Sequence, residues 1–275
     1  MVDVLLDTIL DVIKIVPFLF LTYLFLEWLE TQTDKKFENI LKKHERLSVI
    51  YGSILGLFPS CGFSSVASSL FATHVISAGV LAAVFLSTSD EMLALMLSSG
   101  ASPKVYLPIL LVKLVVAIPA GLLLHSLMHK KEMNIDEFCE REHDDHSHGI
   151  FYSAFLHTVQ VTIWLFVITL VLNAIVEAIG METIQSFVSN NNKLSIVLCT
   201  LLGLIPNCAS SIIISTMYLE SIISFPAVCA GLLANAGTGL IVLFRVNPKI
   251  KENITIILYV ALVAVISGFI LQIFF

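Results

Sequence analysis

Charge is what this sequence has least of. Asp, Glu, Lys and Arg together make up 13% of its 275 residues, about half of what soluble domains carry. With 57% hydrophobic residues and a mean hydropathy of +0.93, a water-soluble globular chain is excluded, and most of the protein is expected to lie in lipid. Cysteine is also sparse. The five cysteines, at 61, 139, 199, 208 and 229, are too few and too scattered for a disulfide framework. Basic residues number 15 against 21 acidic ones, and the acid is concentrated in 132–145, which argues against nucleic acid as a partner. No G-x-x-x-x-G-K-[ST] phosphate loop occurs, so an ATP-driven mode would need a separate subunit. The leading residues of the first apolar run carry Asp3 and Asp7 instead of a basic cluster, and no small-residue cleavage site follows it. It is therefore expected to remain as the first helix.

Long apolar runs are abundant: 4–28, 49–71, 75–97, 105–127, 150–176, 194–219, 222–244 and 254–275. Each is close to the roughly 20 residues that a helix needs to cross the hydrocarbon, and none shows the alternating polarity of a membrane β-strand. The expected fold class is all-α and polytopic. A shift of 147 residues lays Gly56-Leu57-Phe58-Pro59-Ser60-Cys61 on Gly203-Leu204-Ile205-Pro206-Asn207-Cys208, and the register continues through Ser64/Ser211 and Ser68/Ser215. Without a gap it also pairs Thr22 with Thr169, Ser77 with Ser224, Lys104 with Lys251 and Gly121 with Gly268. Residues 1–128 and 148–275 thus read as two copies of one membrane unit, joined by a linker at 129–147.

The basic residues suggest how the copies are oriented. Lys and Arg number five in 31–47, one in 98–104, three in 129–149, one in 178–193 and three in 245–251. Cytoplasmic loops are enriched in these residues, so the loops alternate in, out, in, out, in. The N-terminus is then outside and the linker 129–147 cytoplasmic, in the inner membrane of a bacterial or archaeal cell. Loop 31–47 is basic and its repeat mate 178–193 is nearly bare, as inverted copies require. Inversion demands an odd number of crossings per copy, yet each shows four runs. One run per copy must therefore enter and leave on the same side. Runs 49–71 and 194–219 are interrupted by Pro59-Ser60-Cys61-Gly62 and Pro206-Asn207-Cys208-Ala209, and proline breaks helical hydrogen bonding. They read as re-entrant helical hairpins whose tips line a protected site.

The run after each hairpin has its own polar interruption, Ser87-Thr88-Ser89-Asp90-Glu91 and Ala234-Asn235-Ala236-Gly237-Thr238-Gly239, at equivalent positions. Small residues there permit a transmembrane helix to break and expose carbonyls and N–H groups to a ligand. The expected substrate-binding residues are Ser60, Cys61, Ser64, Ser65, Thr88, Ser89, Asn207, Cys208, Ser210, Ser211, Asn235 and Thr238. Serine in membrane helices also serves simply to let backbones approach. Asp90 and Glu91 are adjacent acids in an apolar span, where a central aspartate costs about 2.5 to 3.5 kcal/mol. With Lys113, at matching depth in the next helix, they form the expected coupling group. The competing role for Lys113 is neutralisation of one acid and packing. Cys61 and Cys208, at equivalent tips, are soft-metal ligand candidates with Asp90 and Glu91, although a lone buried cysteine is also an ordinary small hydrophobe. The stretch 139–148 brings His143, His146 and His148 together with four carboxylates and a thiol. Such a tract can collect divalent metal, but its spacing matches no closed zinc motif, and a solvated linker is the simpler account.

The segments GLFPSCGFSS, FLSTSDEM, GLIPNCASS and LLANAGTG resemble those of the ten-helix heavy-metal exporters, labelled arsenic efflux proteins or manganese transporters. The resemblance covers nearly the whole chain. It implies ten helices, five per copy with each hairpin arm counted, and export of a toxic metal or metalloid. Thiol tips favour arsenite or an organoarsenical, whereas the acid pair and the His/Asp loop favour a divalent ion such as Mn²⁺. The expectation is a secondary, proton-driven efflux permease with no resident cofactor, whose partners are the bilayer and a small ion or small molecule. Assembly as a homo-oligomer is left open. The alternative is a carrier of an oxyanion or organic anion, since hydroxyls at helix N-termini suit anions. A membrane-embedded enzyme is disfavoured because an enzyme rarely mirrors its site in both halves; a channel is the remaining competitor. If the thiols are ligands, Cys61→Ser combined with Cys208→Ser impairs arsenical export and spares Mn²⁺ export in a vesicle flux assay.

Overall fold

In a computed structural model, residues 45–58, 61–128, 150–179 and 194–274 are described, together with residues 5, 8–10, 12, 13, 15–17, 19–21, 23 and 24 of the N-terminal segment. All regular structure among them is helical. The chain is a polytopic membrane protein. Its helices are α1 (Glu45–Gly56), α2 (Cys61–Ala72), α3 (Ala78–Ser87), α4 (Asp90–Ser98), α5 (Pro103–Leu127), α6 (Ile150–Ile179), α7 (Ser195–Gly203), α8 (Cys208–Leu219), α9 (Phe225–Ala234), α10 (Gly239–Val246) and α11 (Ile250–Phe274). The described positions between 5 and 24 are helical as well.

The boundaries repeat. Helices α2 and α8 are both 12 residues long, α3 and α9 both 10, and α5 and α11 both 25, each pair standing 147 residues apart. Even the exits from α2 and α8 match. His74 and Ser221 both adopt φ 59°, and the next amide in each case reaches back to the last turn, Val75 N to Leu70 O and Ile222 N to Met217 O. A left-handed residue closing a helix in this way satisfies carbonyls that would otherwise be orphaned in an apolar setting.

Five stretches are long and apolar enough to cross a membrane among the described residues: Ala78–Ser98, Pro103–Leu127, Ala154–Val171, Phe225–Val246 and Ile250–Phe274. Helices α1, α2 and α8 are apolar but far shorter than the roughly 20 residues a crossing needs. Burial separates centre from rim. The stretch over α9 and α10 is 94% buried, whereas α11 is 22% buried. Helix α11 turns Leu258, Leu262 and Ile266 outward, and α5 does the same with Leu107, Leu111 and Val115. In water such a surface would be untenable; against lipid tails it carries no penalty. The described N-terminal positions pack on α6 and α10 through Ile15, Leu19, Tyr23, Leu165 and Val242.

The packing is reciprocal. Helix α1 lies on α3 as α7 lies on α9, and α3 lies on α5 as α9 lies on α11. Across the molecule α2 packs on α10, and α8 packs on α4. Helices α2 and α8 thus each rest on the second half of a broken helix from the other part of the chain. Close approach depends on missing side chains. A Cβ at Gly203 would lie 2.0 Å from the Gly231 carbonyl oxygen, and one at Gly56 would lie 2.9 Å from that of Val84, the equivalent position. Neither oxygen is a movable side-chain end, so these contacts admit glycine alone. Replacement Gly203→Val is expected to destabilise the protein by at least about 1–3 kcal/mol, the usual cost of overpacking. It should read out as a lowered thermal transition of the detergent-purified protein, and an unshifted transition would contradict the contact.

Candidate substrate site at the two helix breaks

Helix α3 ends at Ser87 and α4 begins at Asp90, so Thr88 and Ser89 interrupt one membrane-spanning stretch. Helix α9 ends at Ala234 and α10 begins at Gly239, leaving 235–238 non-helical in the other. Ending a helix inside an apolar protein leaves its last carbonyls without intrahelical partners, and these carry the negative end of the helix dipole. One side chain answers both endings. Lys113, in the middle of α5, is 1% exposed, and its Nζ donates to the carbonyls of Thr88 and of Leu232, the latter at 2.8 Å. Thr88 follows α3 directly, and Leu232 lies in the last turn of α9. Two half-helices from distant parts of the chain therefore share a single ammonium. Position 260, the repeat mate of Lys113, is a buried valine, so the group is present once.

Helices α1 and α2 between them touch both breaks. At the first break, Ser89 N donates to the Gly56 carbonyl at 3.2 Å and Ser89 Oγ to that of Leu57, seating the end of α1 there. Thr88 Oγ1 donates to Val84 O at 2.7 Å. At the second break, Ser65 Oγ lies 3.1 Å from Thr238 Oγ1. Ser68 Oγ reaches the Ser64 carbonyl at 2.9 Å and the Gly239 carbonyl at 2.7 Å. A Cβ at Gly239 would stand 2.7 Å from Ser64 Cβ and 2.8 Å from its carbonyl oxygen, so α2 and α10 meet backbone to backbone. At the start of α8, Asn207 Oδ1 accepts from Ala209 N at 3.2 Å as an N-cap, and Ser210 Oγ donates to Asn207 O at 2.7 Å.

Of the residues singled out from sequence, Thr88, Ser89 and Lys113 meet at the first break, and Ser64, Ser65 and Thr238 meet at the second. Asn207, Ser210 and Ser211 are buried together at the head of α8, which packs on α4. Asn235 is 1% exposed, and its Oδ1 accepts from Gly237 N at 2.9 Å. Asp90, Cys61 and Cys208 are the opening residues of α4, α2 and α8, but their side chains lie outside the described residues, as do Ser60, His143, His146 and His148 entirely. Glu91 is partly buried on α4. Among the described residues no group of three or more His, Cys, Asp and Glu side chains comes together to hold a metal. Several of the hydroxyls expected to face substrate are engaged with backbone, so they also tie the breaks together. Sequence reasoning did not foresee Ser68 as a bridge or the Leu232 carbonyl as a partner of Lys113. The repeat pair Ser68/Ser215 was a signal for the first; for the second no signal existed, because every residue has a carbonyl.

Residues 1–187 and 154–275 match the family described as "Putative, 10TM heavy-metal exporter". The chain belongs to that family. Neither a curated protein nor a solved structure matches it. As a member of the 10TM exporter family it is a multi-pass membrane transporter, and a transporter has reason to build a polar junction at the centre of its most buried helices. In this family member the junction depends on Lys113. Lys113→Met keeps a stem of similar length and leaves two buried carbonyls unpaired, at about 1–3 kcal/mol each. The variant is expected to lose about 2–6 kcal/mol of stability, measured as a fall in the thermal transition; a wild-type transition would mean that the carbonyls find other donors.

Proposed function

We propose that this protein is a secondary active exporter of a heavy metal or metalloid, driven by protons, in which units 1–128 and 148–275 are inverted copies that rock about a shared central site. The observation that carries this reading is the Lys113 bridge. Because one ammonium holds the Thr88 carbonyl of one broken helix and the Leu232 carbonyl of the other, neither break can reorganise without the other. That linkage is what alternating access needs: a site opened toward one side is closed toward the other.

The 147-residue spacing of helix boundaries and the reciprocal seating of α2 on α10 and α8 on α4 support two structurally equivalent units. The unequal Lys and Arg content of loops 31–47 and 178–193 supports their inversion. Substrate is taken between the hairpin tips and the breaks, by Ser60, Cys61, Ser64, Ser65, Thr88, Ser89, Asn207, Cys208, Ser210, Ser211, Asn235 and Thr238. Asp90 and Glu91, opening α4 beside the bridge, carry the coupling proton. The cytoplasmic stretch 139–148, with His143 and His146 in the linker 129–147 and His148 directly after it, gathers metal near the inner mouth. Arsenite, an organoarsenical and Mn²⁺ are the candidate substrates.

The deciding experiment is uptake into inside-out vesicles containing the full-length protein, comparing Mn²⁺ with trivalent arsenic under an imposed proton gradient. Gradient-dependent accumulation of either is expected; equilibration of substrate without regard to the gradient would indicate a channel. Asp90→Asn is expected to reduce gradient-driven uptake to the level of protein-free vesicles with membrane insertion intact, and unchanged uptake would remove this acid from the mechanism.

A further inference from the structure

The two breaks occupy equivalent positions but differ in charge. Helix α4 opens on Asp90-Glu91, so the sequence places two acidic residues in the first turn of that half-helix. At the same repeat positions the second break has Gly237-Thr238, and α10 carries no acidic residue in its first turn. Its first residues, Gly239, Leu240 and Ile241, are all buried. A buried helix N-terminus presents N–H groups and a partial positive charge of about half an elementary unit, which attracts an anion. In the first half the chain provides the negative charge; in the second it does not.

An independent observation points to the same place. Asn235 is 1% exposed, and the hydrogen bond from Gly237 N to its Oδ1 pins the amide across the turn leading into α10. The other end of that planar group, Nδ2, has no hydrogen-bond partner among the described residues. A buried donor left unmet costs about 1–3 kcal/mol, and native proteins leave few of them without reason. Thr238, the N-cap, makes no side-chain cap to α10; its hydroxyl is shared with Ser65 instead. The Lys113 ammonium sits on the Leu232 carbonyl, about one helical turn ahead of Asn235, and adds a full positive charge. A bare metal cation at this spot would face an amide NH₂, a helix N-terminus and an ammonium. It would also find the Thr88 and Leu232 carbonyls already occupied.

We propose that the second break is the substrate pole, and that it binds an oxyanion or oxyacid whose oxygens accept from Asn235 Nδ2 and the first-turn N–H groups of α10. This rests on the exporter reading and names the chemical class of its substrate: a metalloid travels as its oxygen acid, not as a naked cation. The acids of the first break then serve the proton and not the substrate.

The test is equilibrium dialysis of the purified full-length protein in lipid nanodiscs against arsenite, arsenate and Mn²⁺ separately, with bound element counted. Wild type is expected to bind at least one of the two arsenic species. Asn235→Asp, equal in size but trading a donor for a charged acceptor, is expected to weaken that binding about tenfold or more without weakening Mn²⁺ binding. Asn235→Leu, which removes the donor without adding charge, is the second variant should the aspartate fail to fold, and is expected to weaken it in the same direction. Arsenic binding unchanged in the folded variants overturns the proposal, and so does a wild type that binds Mn²⁺ alone or neither element. The exporter reading is judged separately, by gradient-driven flux in vesicles, and survives a result in which Mn²⁺ alone is carried.

Discussion

A lysine ammonium buried in the middle of an apolar protein is expensive to desolvate, and it is tolerated only where strong partners replace water. Lys113 finds them in two carbonyls at the ends of two half-helices. The exchange is mutual, because those carbonyls would be orphaned without it and each carries the negative end of a helix dipole. Breaking two helices at the most buried level of the molecule is thereby made affordable. Everything proposed for the site follows from having those breaks, since an unbroken helix keeps its backbone groups to itself.

Around that bridge the molecule is assembled from short pieces that could not cross a membrane alone. Helices α1, α2 and α7 hold their places by backbone-level contact with the broken helices, and glycine at 56, 239 and 203 makes that contact feasible. Without a hydrophobic drive between helices in lipid, close packing and hydroxyl bridges such as Ser68 to Gly239 supply the cohesion. Because α2 rests on α10 and α8 on α4, the two sets of helices are interleaved at the centre. Longer, lipid-facing α5 and α11 frame them.

The departure from symmetry bears most directly on function. A lysine faces the breaks from α5 where α11 offers Val260, and acids open α4 where glycine and threonine precede α10. One break therefore has acidic residues in its own sequence, and at the other the buried Asn235 Nδ2 has no hydrogen-bond partner among the described residues. Two equivalent frameworks thus carry unequal chemistry at the same repeat positions.

Much of this was legible from residue order. The apolar runs and scarce charge specified a helical membrane protein, because hydropathy and length are properties of segments. The 147-residue echo anticipated matching helices because equal segments fold alike, and Pro59 and Pro206 marked interruptions because proline removes a donor wherever it stands. Thr88, Ser89, Asn235 and Thr238 stood out as polar residues in apolar runs. Which of them meet could not be read off, since α3 and α9 are joined by no local sequence pattern. Lys113 was visible as an intramembrane cation, and its expected partner was a carboxylate by charge. Its partners in the fold include main-chain carbonyls of Thr88 and Leu232, a choice made by where two helices end in space. Segment by segment, then, sequence alone determined what enters the membrane and where it bends. Only the tertiary structure decided which bends converge and which donor at their meeting point lacks an acceptor among the described residues, because those depend on contacts between residues more than a hundred positions apart.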